Sequence, residues 1–223
     1  MPERVILVHG LGSSHSRTWE RYGWTDVLSG LGADPVGYEL PGHGGGPAPS
    51  ACRGDGIADS IVQFSRDHDA RIGIGFSAGG VGLLLAAVRA PDAFDHIVLL
   101  GVGDGVWCAQ DRRAALCQVL ESGHAESPDD RLMLDIIADA GNDPALVAEF
   151  VRAMPPPPPL ALLRRARART LVVIGDADPN GPAEAIVQHL PNARAVCLSN
   201  TDHYRTLSAP RSFMCVEDFL KRM

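Results

Sequence analysis

The chain has 223 residues, of which 45% are hydrophobic and 21% are charged, and its formal net charge is −7 at pH 7. This length and composition fit one globular domain and exclude a disordered or fibrous protein. The negative net charge does not indicate a basic surface for nucleic acid. Every apolar run is shorter than the roughly 18 residues of a membrane span. We therefore expect a small-molecule partner, with no nucleic acid and no membrane span.

The beginning of the chain and the cysteines bear on its location. The sequence "MPERVILVHG" enters a strand-like run at once and lacks the pattern of a signal peptide. The five cysteines form no CxxC pair, so reduced thiols and a cytoplasmic protein are expected. No group of histidines and carboxylates has metal-ligand spacing, so we predict neither a metal nor another cofactor.

Six short apolar runs follow one another with helical stretches between them. In chain order they are "RVILVH", "DPVGYEL", "RIGIGF", "HIVLLG", "TLVVIG" and "RAVCLS". Continuous apolar runs are typical of parallel strands that are buried on both faces by crossover helices. The sequence predicts an α/β fold with a doubly wound, mainly parallel sheet of about six strands, and such folds bind ligands beyond the carboxyl ends of the strands.

The segment at about 104–169, between the fourth and fifth runs, contains helical patterns and no strand. Ser127-Pro128 and Asp143-Pro144 have the character of N-cap and first-turn pairs. We predict one domain over 1–223, with this segment as a helical cap insertion over the ligand edge of the sheet. Five prolines at 155–159 predict a stiff strut that returns the chain from the cap insertion to the sheet.

The stretch "GFSAGG" follows the third run and precedes an apolar helix. A G-x-S-x-G sequence between a strand and a helix forces its serine into a sharp turn, and the small neighbours let the hydroxyl project outward. We predict that Ser77 is a nucleophile at a helix N-terminus.

A serine nucleophile needs a base, and the base needs an acid to orient it. His203 follows the sixth run, and Asp178 follows the fifth run in "GDADP". Ser77, Asp178 and His203 occur in the chain order expected on this scaffold. Asp176 and Asp104 are alternative acids at the same edge of the sheet, with Asp178 favoured.

Acyl transfer also needs donors for the developing oxyanion, and backbone amides can supply them. We predict the N–H groups of Ala78, directly after the nucleophile, and of Leu11, in the glycine turn "VHGLGSS". Three aromatic side chains near these loops are candidates for the substrate pocket: Trp19, Phe76 and Trp107.

Together these motifs resemble the α/β-hydrolase superfamily: "VILVHGLGSS" is similar to its oxyanion loop, "ELPGHG" to the next loop, "GFSAGG" to its nucleophile elbow, "GDADP" to its acid turn and "DHY" to its histidine loop. The resemblance implies a serine hydrolase of the esterase or thioesterase type, acting on an ester or thioester of a small, largely apolar substrate. A lyase or C–C bond hydrolase using the same residues, or a ligand-binding member without activity, remains an alternative.

The sequence departs from the family pattern in three places. The first strand-like run begins almost at the first residue, so we expect a sheet of about six strands without the antiparallel strands that are usual at the N-terminus of the family. Phe76 stands where many relatives have histidine, and Glu39 stands where many have aspartate. None of these departures removes a member of the expected triad.

Overall fold

Six parallel strands form one sheet in the order β2-β1-β3-β4-β5-β6. The structure is a computed structural model, and it describes residues 3–108 and 110–221. The strands are β1 (Glu3–Val8), β2 (Ala33–Tyr38), β3 (Ile72–Phe76), β4 (His96–Leu100), β5 (Arg169–Gly175) and β6 (Ala193–Leu198). Each of the six apolar runs therefore overlaps one strand, and the predicted fold class is confirmed.

Helices cover both faces of this sheet. They are α1 (Trp24–Gly30), α2 (Gly56–Asp67), α3 (Ala78–Arg89), α4 (Gln110–Ser122), α5 (Pro128–Ala140), α6 (Pro144–Ala153), α7 (Leu160–Leu163), α8 (Glu184–His189) and α9 (Pro210–Leu220). A π-helical turn at Ser16–Glu20 and 3-10 turns at Pro49–Cys52, Asp104–Cys108 and Arg205–Leu207 complete the helical segments that the structure describes.

The core has two layers because side chains alternate between the faces of each strand. In β1, Val5 and Leu7 pack with α1 and α9, whereas Ile6 and Val8 pack with α2, α3 and helices of the cap insertion. β3, β4 and β5 are buried along nearly their whole length, and β1 is buried after its first two residues. The two edge strands differ: β2 is mostly half-buried and β6 is largely exposed, so the expectation of burial on both faces does not hold at the edges of the sheet.

The predicted helix starts in the cap insertion are present. The Ser127 hydroxyl accepts a hydrogen bond from the Asp130 N–H, and the Asp130 carboxylate accepts one from the Ser127 N–H, which makes a reciprocal cap for α5. The Asp143 carboxylate accepts from the Ala145 N–H and caps α6. These two caps fix the residues at which α5 and α6 begin.

Among the described residues, no helix combines the length and the apolar character that a membrane span requires. The division into one domain with a cap insertion, and the cytoplasmic location, stay predictions.

Candidate active site

Ser77 lies in a strained turn between β3 and α3. Its backbone has φ = 52° and ψ = −118°, a conformation that residues with a side chain rarely adopt. A Cβ atom at Gly75 would lie 2.7 Å from the Gly80 backbone, and one at Gly79 would lie 2.2 Å from the Val8 carbonyl oxygen. Glycine at both positions therefore lets β3 and α3 approach closely enough to form the turn.

His203 connects Ser77 to Asp178. Its Nε2 atom lies 3.0 Å from the Ser77 Oγ atom, and its Nδ1 atom lies 2.7 Å from Asp178 Oδ2. The Asp178 side chain is completely buried, and its other oxygen accepts a hydrogen bond of 2.8 Å from the Asn180 N–H. Because Nδ1 faces a carboxylate, it carries the proton, and Nε2 is the atom that can take a proton from the serine hydroxyl.

The two alternative acids are bound elsewhere. Asp104 accepts hydrogen bonds from the Ala185 and Ile186 N–H groups at the start of α8, at 3.0 and 3.1 Å. Asp176 accepts a hydrogen bond of 3.2 Å from the Thr201 N–H. Of the three aspartates, Asp178 is the one that the structure brings to His203.

The two predicted backbone donors, Leu11 and Ala78, border the same cavity as Ser77. Within residues 3–108 and 110–221, neither N–H group donates to a protein acceptor. The role of these two amides as donors to an oxyanion stays a prediction.

The loop after β1 (residues 9–15, the β1 loop) is held in place by His43. Its Nδ1 atom lies 3.0 Å from the Pro41 carbonyl oxygen, which can only accept, so Nδ1 carries the proton. Nε2 then accepts a hydrogen bond of 2.9 Å from the Gly12 N–H. Burial is the largest cause that lowers the pKa of His43 to about 4, and the nearby His9 adds to it. A neutral His43 therefore anchors the residue next to the Leu11 amide.

Glu39 contacts the two ends of the β1 loop. Its Oε1 atom accepts a hydrogen bond of 3.0 Å from the His15 N–H, and its Oε2 atom lies 2.8 Å from His9 Nε2. The His9 Nδ1 atom lies 2.8 Å from the Gly10 carbonyl oxygen. The residue that departs from the usual aspartate of the family is thus in contact with the β1 loop and not with the Ser77 hydroxyl.

A cavity of about 220 Å³ opens over Ser77 and is mainly apolar. It lies between the carboxyl edge of the sheet and α4 and α6 of the cap insertion. Val151 and Met154 from the end of α6 contribute apolar surface, whereas Arg112 and Arg113 from the first turn of α4 contribute positive charge. The volume of the cavity suits a small ligand.

The three aromatic side chains predicted for the pocket lie outside the lining of this cavity. Trp19 is fully buried and packs edge-to-face against Trp24 below α1. Phe76 packs against the imidazole ring of His203, with ring centroids 4.8 Å apart, and faces the α1 and α9 layer. Trp107 donates a hydrogen bond of 2.9 Å to the Pro158 carbonyl oxygen and packs on the core.

Two polar residues of the cap insertion were not found by sequence reasoning. Asn142 lies between α5 and α6, and its side-chain nitrogen donates to the Gly12 and Ser13 carbonyl oxygens, both at 2.8 Å. Arg113 reaches the cavity from α4. The one available signal was the polar "GNDP" stretch between two amphipathic helices, which predicts a turn but does not indicate its contacts.

Comparison with known proteins gives the family. The pattern of the Alpha/beta hydrolase family matches residues 5–214, and the chain belongs to this family. An alpha/beta hydrolase enzyme from a Medee basin deep-sea metagenome library has the same fold, with a TM-score of 0.80 and 15% sequence identity over 100% of this chain and 90% of that chain.

Two curated relatives are named as esterases. An esterase of Mycobacterium tuberculosis is 31% identical over 147 residues, which are 60% of this chain, and the match spans 45% of the length of that relative. The pimeloyl-[acyl-carrier protein] methyl ester esterase of Nitrosomonas europaea is 26% identical over 97% of this chain and 94% of its own length.

Proposed function

We propose that this protein is a serine hydrolase that cleaves an ester or thioester of a small, largely apolar substrate through an acyl-enzyme. The chain 1–223 is then one α/β-hydrolase domain, with the segment at about 104–169 as a cap over the cavity. Membership of the family and two relatives named as esterases support a hydrolase of the esterase type. The observation that carries the proposal is the hydrogen-bonded series Ser77, His203 and Asp178.

In the first half of the reaction, His203 Nε2 takes the proton from the Ser77 hydroxyl while Oγ attacks the carbonyl carbon of the substrate. The electron pair of the carbonyl moves to its oxygen, which the Leu11 and Ala78 N–H groups stabilise. Each such donor contributes about 3 kcal/mol or more to lowering the barrier. The imidazolium then donates its proton to the leaving alcohol or thiol, and the acyl group stays on Ser77.

In the second half, a water molecule takes the place of the leaving group. His203 removes a proton from this water, which attacks the acyl carbonyl, and the same imidazolium returns a proton to Ser77 Oγ as the acid leaves. Asp178 keeps the imidazole in the tautomer with the proton on Nδ1 and stabilises its charged form. Besides the substrate and the water molecule, the groups used in these steps are side chains and backbone amides of the chain.

Labelling with a fluorophosphonate probe tests the proposal, because the probe reacts only with an activated serine. The wild type is expected to take up one probe molecule at Ser77, and the Ser77→Ala variant none. Equal labelling of the two proteins, or none of the folded wild type, would contradict the mechanism. Labelling at Ser77 without turnover of simple esters would instead favour lyase chemistry or cleavage of a C–C bond.

A further inference from the structure

Arg113 places a positive charge in the mainly apolar cavity over Ser77. Its side chain is partly buried, and one guanidinium nitrogen, Nη2, donates a hydrogen bond of 2.6 Å to the Met154 carbonyl oxygen. Met154 follows the last residue of α6, so this contact joins α4 to the end of α6. It holds the guanidinium at the wall of the cavity while using one of its five N–H donors.

No described carboxylate compensates this charge. Among the side chains that the structure describes, no aspartate or glutamate oxygen lies within 4.0 Å of the Arg113 guanidinium. Burial is the largest cause and lowers the pKa of Arg113, and no carboxylate of the described part of the chain opposes that effect. Arg152, on the outer surface of the cap insertion, differs because it pairs with Glu121, and this hydrogen bond raises its pKa.

The position of Arg113 in its helix does not stabilise its positive charge. Arg112 and Arg113 both lie in the first turn of α4, where the helix dipole disfavours cations. Removing a guanidinium partly from water without pairing it to a carboxylate lowers the stability of the folded protein. A residue of a cavity that lowers stability in this way is typical of a binding site.

We propose that Arg113 binds an anionic group, a carboxylate or a phosphate, carried by the substrate at the end remote from the scissile carbonyl. The planar guanidinium offers parallel donors that match the two oxygens of such a group. The apolar wall would enclose the part of the substrate that connects this group to the ester. This inference rests on the proposed function, since the ester must lie at Ser77.

Monomethyl and dimethyl esters of succinic, glutaric and adipic acid test the proposal, because each pair differs in one negative charge and the series varies its distance from the ester. The measured quantity is kcat/KM for the monoester divided by kcat/KM for the diester. Arg113→Gln is expected to lower this ratio about tenfold or more for at least one chain length, mainly through KM. Arg113→Lys keeps the charge but lacks the parallel donors of the guanidinium, so its ratio should lie between those of Arg113→Gln and the wild type.

Arg152→Gln is the matched control, because it removes one positive charge from the cap insertion outside the cavity, and it should keep the wild-type ratio. If Arg113 only held the Met154 carbonyl, Arg113→Gln would lower the melting temperature and leave the ratio unchanged. An unchanged ratio at all three chain lengths would overturn the proposal.

A second readout does not depend on turnover. Succinate, glutarate, adipate or inorganic phosphate should slow the labelling of Ser77 by the fluorophosphonate probe, and less so in Arg113→Gln. Protection by phosphate alone would identify the anion as a phosphate, and equal protection of both proteins, or none, would overturn the inference. Wild type that is folded but takes up no probe would overturn the proposed function itself, which separates the two failures.

Discussion

The side-chain nitrogen of Asn142 lies 2.8 Å from the Gly12 carbonyl oxygen, and this hydrogen bond joins the turn between α5 and α6 to the β1 loop. The same nitrogen donates to the Ser13 carbonyl oxygen, and the side-chain oxygen accepts from the Gly44 N–H. One amide group of the cap insertion therefore positions the segment that carries the Leu11 N–H.

Replacing Asn142 by aspartate should reduce kcat roughly tenfold to a hundredfold, with a smaller effect on KM. The carboxylate cannot donate to the Gly12 and Ser13 carbonyl oxygens and repels them, so the Leu11 amide moves away from the oxyanion. Steady-state kinetics of the folded variant on a simple methyl ester measure the effect. Asn192→Asp is the control, because Asn192 is exposed and makes one long hydrogen bond to the Arg167 carbonyl oxygen. A normal kcat in Asn142→Asp would exclude this positioning role.

Replacing Asp178 by asparagine should lower kcat/KM by a factor on the order of a thousand or more, because the amide no longer fixes the proton on His203 Nδ1. The stability should change much less than the activity, which a melting curve recorded beside the kinetics would verify. Asp176→Asn is the matched control: its side-chain oxygen can still accept from the Thr201 N–H, so most activity should remain. A larger loss in Asp176→Asn than in Asp178→Asn would reassign the acid.

The stability should fall as the pH decreases from about 6.5 to about 4, partly because of His43. Burial depresses the pKa of His43 to about 4 in the folded protein, so the unfolded chain binds the proton more readily within this window. The stabilising contribution is complete above pH 6.5 and is lost toward pH 4, and it amounts to at most on the order of 3 kcal/mol.

Urea unfolding of His43→Gln at several pH values isolates this contribution. Glutamine can accept from the Gly12 N–H and donate to the Pro41 carbonyl oxygen but does not titrate, so the variant should lose stability less steeply than the wild type below pH 6.5. His124→Gln, at an exposed position, should keep the wild-type slope. Identical slopes in all three proteins would show that other groups cause the acid sensitivity.

Because the backbone of Ser77 is strained, glycine should be the more stable replacement at Ser77, whereas alanine should be the more stable one at a serine in a regular helix. At φ = 52°, Ser77→Gly should be more stable than Ser77→Ala by on the order of 1 kcal/mol, because glycine tolerates this conformation. At the exposed Ser29 in α1, alanine should be the more stable replacement, since glycine is a poor helix former. The free energy of unfolding of the four variants measures both differences. A larger free energy of unfolding for Ser77→Ala than for Ser77→Gly would argue against backbone strain at Ser77.

The sequence predicted most of the architecture because it depends on local patterns. All six strands were visible as apolar runs, and α5 and α6 were visible from their caps and first-turn prolines. Ser77, Asp178 and His203 were predicted together because each follows a strand at the same edge of the sheet, and the structure brings these side chains within hydrogen-bond distance.

The remaining features depend on contacts between distant parts of the chain. Asn142 is 130 residues from Gly12, and nothing near either position indicates that they meet. The same limit applies to Trp19 and Trp107: their positions after predicted active-site segments suggested a pocket, whereas packing against Trp24 and a hydrogen bond to Pro158 determine where they lie. Arg113 gave no sequence signal because a cation at a helix start is ordinarily a solvated side chain.

Three of the five consecutive prolines, at 155–157, border the cavity over Ser77. Proline has a fixed φ and no N–H group, so the backbone on this side of the cavity is stiff and has no donor to offer a bound molecule. A change in the size of the accepted molecule is therefore expected to come from replaceable side chains of the lining, such as the flexible Met154, and not from the proline segment.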